Sequence, residues 1–122
     1  MEKFPESVEE FVSGQILLLD KPFGWTSFDV VRKVKNLIRT KYSLKKIKVG
    51  HAGTLDPFAE GVLIIGTGKD TKKLTSISSS IKSYRAILKL GKTTDTLDNE
   101  GEVTNKMEVP TFDKVKIENV LI

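Results

Sequence analysis

The sequence contains no cysteine, one histidine (His51), one tryptophan (Trp25) and four prolines in 122 residues. Without a thiol there is no disulfide and no cysteine nucleophile, and the absence fits a reducing compartment, so the expected location is cytoplasmic. One histidine and no cysteine cannot assemble an ordinary zinc ligand set, and no metal site is expected. Composition alone leaves a carboxylate magnesium site open. No apolar run approaches the roughly 20 residues that a membrane-spanning helix needs, so no membrane association is expected. The opening stretch MEKFPESVEEFVSGQ carries several acids and lacks the basic-then-apolar order of a secretory leader.

What is present reads as one small globular domain. Hydrophobic residues make up 39% and charged residues 30%, a balance that supports a modest core and argues against disorder. The net charge of +4 is unevenly placed. Between Asp29 and Asp56 there is no acidic residue, and the interval holds Arg32, Lys33, Lys35, Arg39, Lys41, Lys45, Lys46 and Lys48. A block of this density is a candidate phosphate-binding face, because each cation that meets a phosphate releases condensed counterions. A solvated helix face followed by a lysine-rich loop explains the same charges equally well.

Periodicity and punctuation predict the order of elements. GQILLLDKP reads as a buried strand, Ile16 to Leu19, stopped at Lys21-Pro22. The next segment reads as a helix: Thr26 and Asp29 have capping-box spacing, and Val30, Val31, Val34, Leu37 and Ile38 form one apolar stripe. KIKVG is expected to be a strand ending at a Gly50 turn, and GVLIIGTG a buried strand between glycines. DTKKLTSI is expected to form a short helix. SYRAILKLG alternates, with Tyr84, Ala86, Leu88 and Leu90 on one side, the period of a half-buried strand. A polar turn then leads to a short strand at Glu102-Val103. A helix is expected from Thr111; it runs to Ile122 without a cap, glycine or proline, so a fragment of something longer is expected.

Two familiar motifs fail. GTGKDTKK resembles a phosphate loop, but Leu63 and Asp70 stand where the Walker pattern requires glycine and serine or threonine. A Ser-His-Asp triad through His51 has no GxSxG elbow behind it. The segment GHAGTLDP, residues 50–57, is richer. Gly50 and Gly53 permit positive φ and close backbone approach, and Pro57 drives Asp56 out of the helical region. Asp56-Pro57 then fits either of two readings. It matches the N-cap and first residue of a helix. It also matches an active-site loop, in which an imidazole and a carboxylate beside a cationic block act on an RNA-borne group. Phe23 and Trp25, beside Gly24, are expected to pack at the start of the helix.

Three stretches carry a family resemblance. GQILLLDKPFGWTSFDVVRKVK, KVGHAGTLDPFAEGVLIIGTGKDTKKL and KSYRAILKLGKTTDTLDNEG together resemble the N-terminal part of TruB-type tRNA pseudouridine synthases, over roughly residues 14–104. The dyskerin branch shares the GTLDP core, whereas TTDTLDNEG is more similar to the bacterial tRNA enzymes. The resemblance implies an α+β fold with a mixed, largely antiparallel sheet and flanking helices. Residues 1–13 would be an N-terminal extension, and 14–122 the N-terminal part of the catalytic domain, without the C-terminal RNA-binding domain that usually follows.

It also implies a reaction: isomerisation of the T-loop uridine of tRNA, position 55, with no cofactor and no obligatory protein partner. By this resemblance Asp56 is the catalytic residue, entering as a carboxylate that attacks base or sugar, or removes a sugar proton. His51 matches the histidine that helps to extrude the nucleotide, and Tyr84 the tyrosine that stacks on the flipped base. Lys21, with Pro22, matches the DKP element that supports the catalytic loop. Asp95, in TDTLD, is expected in a turn that contacts RNA or other loops, with a turn and no contact as the equal alternative. Lys45, Lys46 and Lys48 are the candidate contacts to the T-arm stem-loop. A non-catalytic RNA-binding fragment and a guide-RNA-dependent, dyskerin-like enzyme are the alternatives.

Overall fold

The computed structural model describes residues 5–121 and divides into two compact units, one ending at Lys82 and one beginning at Ser83. In the first unit, α1 (Val8–Ser13) opens on a Ser7–Glu10 capping box and buries Phe11. It leads into β1 (Gln15–Lys21), then α2 (Ser27–Lys41), β2 (Val49–Ala52) and β3 (Gly61–Thr67). A 3-10 turn (Gly68–Lys73) and α3 (Leu74–Ser78) follow.

The strands form one antiparallel sheet in the order β1-β3-β2. Its centre is GVLIIGT, the run whose apolar character suits a strand covered on both edges. The register pairs Leu17 with Ile65 and Leu19 with Leu63. Leu17, Leu63 and Ile65 therefore share a face, which packs against Val30, Val31 and Ile38 of α2, with Phe11 and Ile47 completing the core. Burying Ile65 and Leu63, at 0% and 1% exposure, contributes about 1.5–3 kcal/mol each. Leu37, on the margin of the helical stripe, stays 57% exposed.

The second unit holds a two-stranded antiparallel hairpin, β4 (Lys92–Thr94) and β5 (Val103–Lys106), and the helix α4 (Lys114–Val120), capped by Asp113. None of its described residues is buried. Every strand pairing among the described residues is antiparallel, so the expected α+β class with an antiparallel sheet is observed. No helix among the described residues is long and apolar enough to cross a membrane.

Three local expectations are corrected. Residues 83–90, expected to be a half-buried strand, carry no regular secondary structure; Tyr84 is 71% and Leu88 72% exposed. Alternation specifies two faces but not a neighbouring edge, and β4, the nearest strand, pairs only with β5. The second strand starts at Val49 and runs through Gly50 to Ala52 instead of ending in a Gly50 turn. Gly50 lies opposite Gly66 under Leu74, and a Cβ at either position would sit 3.0 Å from that side chain. Glycine is needed there for close packing, and the turn comes at Gly53, with φ +85°. Finally, no helix starts at Asp56-Pro57. The chain makes a tight turn, closed by the Ala59 N–H on the Asp56 carbonyl at 2.9 Å, and β3 begins at Gly61. Only residues 57–60 separate Asp56 from that strand, too few for a helix.

The capping box of α2 is present as expected. The Thr26 hydroxyl accepts from the Asp29 N–H at 3.0 Å, and the Asp29 carboxylate accepts from the Thr26 hydroxyl at 2.7 Å and its N–H at 3.0 Å. Those bonds, with the Arg32 guanidinium 2.6 Å away, hold the Asp29 carboxyl below the ordinary aspartate value. A depressed carboxyl contributes stability that is present above its unfolded value and lost as pH falls through its folded one. Thr26→Ala should cost about 1 kcal/mol in urea unfolding at neutral pH. Asp29→Asn should remove the part of the acid-induced loss of stability that the parent shows below the carboxylate range, read as the difference in thermal midpoints across that range.

Candidate active site

The alternation that buries Leu17 and partly buries Leu19 also turns Lys21, the last residue of β1, inward. Its side chain is fully buried. An ammonium has three donors and no acceptor, and here it finds three main-chain carbonyls: Trp25 at 2.6 Å, Pro22 at 3.1 Å and Pro57 at 3.4 Å. The Pro57 carbonyl also accepts the Gly24 N–H at 2.7 Å. Lys21 therefore ties the turn that precedes α2 to the turn that contains Asp56.

The other side of Asp56 is held by Ser27, which is 3% exposed at the first position of α2. Its hydroxyl accepts the Leu55 N–H at 2.9 Å and donates to the Leu55 carbonyl at 3.1 Å. One buried hydroxyl thus satisfies both backbone groups of Leu55. Reading the sequence missed Ser27 and the Gly24 amide. The available signal was redundancy: Thr26 already caps the helix, so the adjacent hydroxyl in TSFD is surplus to capping.

Between these two anchors Asp56 is exposed, and its carboxylate has no hydrogen-bond or ion-pair partner among the described residues. The arrangement holds the backbone and leaves the functional group open. His51 sits on β2 opposite Ile65. Its Nδ1 donates to the Gly53 carbonyl at 2.7 Å, so Nε2 of the neutral ring is an acceptor. The ring lines an open cleft of about 420 Å³ with Leu74, Thr75, Ser78 and Ser79.

Lys45, Lys46 and Lys48 are exposed between α2 and β2, and none pairs with a carboxylate among the described residues. Tyr84 and Asp95 belong to the second unit, and both are exposed. Asp95 uses its N–H on the Glu102 carbonyl at 3.1 Å. Its turn is organised by Asp98, which accepts from the Thr96 hydroxyl at 2.6 Å and the Glu100 N–H at 2.8 Å. Those bonds lower the Asp98 pKa. Phe23 does not pack at the start of α2: it is 59% exposed and stacks on Phe58, while Trp25 is 39% exposed.

The two anchors have a measurable consequence. Ser27→Ala leaves the Leu55 N–H and carbonyl without their partner and should cost about 1–3 kcal/mol in urea unfolding. Lys21→Met, which strands the carbonyls of Pro22 and Trp25, should cost at least as much. A loss below about 0.5 kcal/mol for both, within the range of ordinary surface substitutions, would show that neither contact holds the loop.

The comparisons with known proteins bear on the same residues. The TruB family pseudouridylate synthase (N terminal domain) profile matches residues 39–122, which takes in His51, Asp56, Tyr84 and Asp95. The chain is 45% identical to the tRNA pseudouridine synthase B of Parabacteroides distasonis over 112 residues, 92% of this chain and 48% of that protein. It is 46% identical to the Flavobacterium johnsoniae protein of that name over 93% of this chain and 48% of the relative. Against the Phocaeicola vulgatus protein of that name it is 53% identical over 76% of this chain and 40% of the relative. The chain thus spans about half the length of the first two relatives and less of the third. A match over more than two thirds of the chain, which takes in the loop whose geometry is described above, places the chain in the TruB family of pseudouridylate synthases.

Proposed function

We propose that this chain is the N-terminal part of the catalytic domain of a tRNA pseudouridine synthase, with Asp56 as its catalytic residue and the T-loop uridine of tRNA as its target. The carrying observation is the Asp56 turn, with both flanks tied down by Lys21, Gly24 and Ser27 and the carboxylate itself exposed and without a partner among the described residues. A group that must meet a substrate atom at bonding distance gains most when its own backbone does not have to be ordered during the reaction. The names of the relatives support tRNA as the substrate class.

In this reading the N-glycosidic bond between uracil N1 and the ribose C1′ breaks, and C5 of the base bonds to C1′ in its place. The hydrogen on C5 leaves as a proton and N1 acquires one, so the reaction is an isomerisation with no redox partner and no cofactor. Asp56 supplies the carboxylate for this exchange. The uridine must first leave its stack, at a cost of a few kcal/mol. His51 is assigned to help that extrusion from the cleft beside β2, and Tyr84 to stack on the freed base. Lys45, Lys46 and Lys48 are assigned to the phosphates of the T-arm. Residues 14–122 form this portion of the catalytic domain, and residues 1–13, including α1, precede it as an extension.

Tritium release from a T-arm stem-loop labelled at uracil C5 tests the reading, because the new C–C bond displaces that hydrogen. The chain should release tritium and its Asp56→Asn variant should fall to background. Equal release by both would remove Asp56 from the chemistry. Binding without release by either would leave the family assignment standing and make the chain an incomplete enzyme or a non-catalytic RNA-binding fragment. Separately, Lys45→Ala with Lys46→Ala should weaken RNA binding and lower the slope of log K against log salt by about two. An unchanged slope would return both lysines to the solvated face.

A further inference from the structure

The rings of Phe23 and Phe58 stack with centroids 5.3 Å apart and planes 29° from parallel, yet they are 59% and 38% exposed. Trp25 and Phe28, which follow Gly24 in sequence, are 39% and 65% exposed. Half of the phenylalanines lie outside the core at these positions, in a chain where only 7% of residues are aromatic. A contiguous apolar surface left open to water marks an interaction site more often than chance exposure.

This surface is also fixed in place. Phe23 lies between Pro22, whose carbonyl takes the Lys21 ammonium, and Gly24, whose N–H is bonded to Pro57. Phe58 directly follows Pro57 and lies inside the turn closed by the Ala59 N–H. The backbone bonds that hold Asp56 therefore also hold both rings. The patch is contiguous in sequence with a cationic helix: α2 begins two residues after Trp25, and among its Arg32, Lys33 and Lys35 only Arg32 is paired with a carboxylate. A fixed, exposed aromatic pair in a unit that also carries the cations of α2 suits a π-faced ligand that carries negative charge.

We infer that the Phe23–Phe58 pair is a stacking platform for an unpaired nucleobase of the RNA, a neighbour in the loop of the base that Asp56 acts on. The inference rests on the RNA-modifying reading above. It assigns a second base contact, separate from Tyr84, that would set which loops are accepted.

The test is a coupling measurement. Stem-loop RNAs carrying one abasic site at each loop position in turn are titrated against the chain and against its Phe23→Leu/Phe58→Leu double variant. Stacking of one base is worth roughly a five- to 150-fold change in affinity. The parent should lose at least about fivefold for one abasic position beside the target. The variant should bind intact RNA weaker by that factor and no longer distinguish that position, and Phe23→Trp should retain the distinction. Both rings are exposed, so these variants leave the core intact. Independent, multiplicative losses, or a parent indifferent to every non-target abasic site, would overturn the platform. Self-association of the parent that the double variant abolishes would assign the patch to a second copy of the chain, and overturn it too. Coupling without tritium release would overturn only the catalytic reading, whereas failure to bind any RNA would overturn both.

Discussion

A buried ammonium is expensive to take out of water, and Lys21 is buried at the end of the first strand, where the pleat leaves it no route to the surface. Its charge is compensated by three main-chain carbonyls rather than by a carboxylate. That choice has structural reach. A carboxylate partner would have satisfied the lysine at one point, whereas carbonyls from Pro22, Trp25 and Pro57 bring two separate turns to one atom. The turn before α2 and the turn holding Asp56 are consequently set against each other by a single side chain from a strand that the sheet already holds. The two prolines fix φ at two of those three carbonyl-bearing residues.

Ser27 completes the arrangement from the helix side. It belongs to α2, whose capping box and apolar stripe fix the helix on the sheet, and its hydroxyl meets Leu55 rather than the helix's own amides. The core thus reaches the site by two routes, β1 through Lys21 and α2 through Ser27. Asp56 lies between the two points of attachment without being used by either. This separation of labour explains how a short loop can be rigid and still offer an unengaged carboxylate. The same bonds position the Phe23–Phe58 stack, so the chemistry and the aromatic surface share one mechanical base.

Short-range signals in the sequence were legible. Thr26 and Asp29 are three residues apart and form the capping box that their spacing specifies, and the apolar runs of β1 and β3 became adjacent strands in the core. Lys21 was singled out only by family resemblance, as part of an element that supports the loop; its carbonyl partners are a property of the fold. Ser27 was missed because its partner is 28 residues away and its local context already explained a hydroxyl. Asp56-Pro57 has the local chemistry of a helix start, but β3 takes up the residues from Gly61 on, and a proline at a first helical position permits a helix without requiring one. Gly50 illustrates the same limit: a glycine in a strand required by Leu74 looks, in one dimension, like a glycine in a turn. Residues 83–90 have the right alternation for a strand but pair with no strand among the described residues.

The central claim is that the backbone around Asp56 is held as firmly as the sheet beneath it, and amide hydrogen exchange reads this directly. The Leu55 N–H, bonded to Ser27, and the Gly24 N–H, bonded to Pro57, should exchange with protection close to that of Ile65 in the central strand, opening only when the unit unfolds. Exchange of those two amides at the rate of an unprotected loop, while Ile65 stays protected, would contradict the claim and make the Asp56 turn a mobile segment.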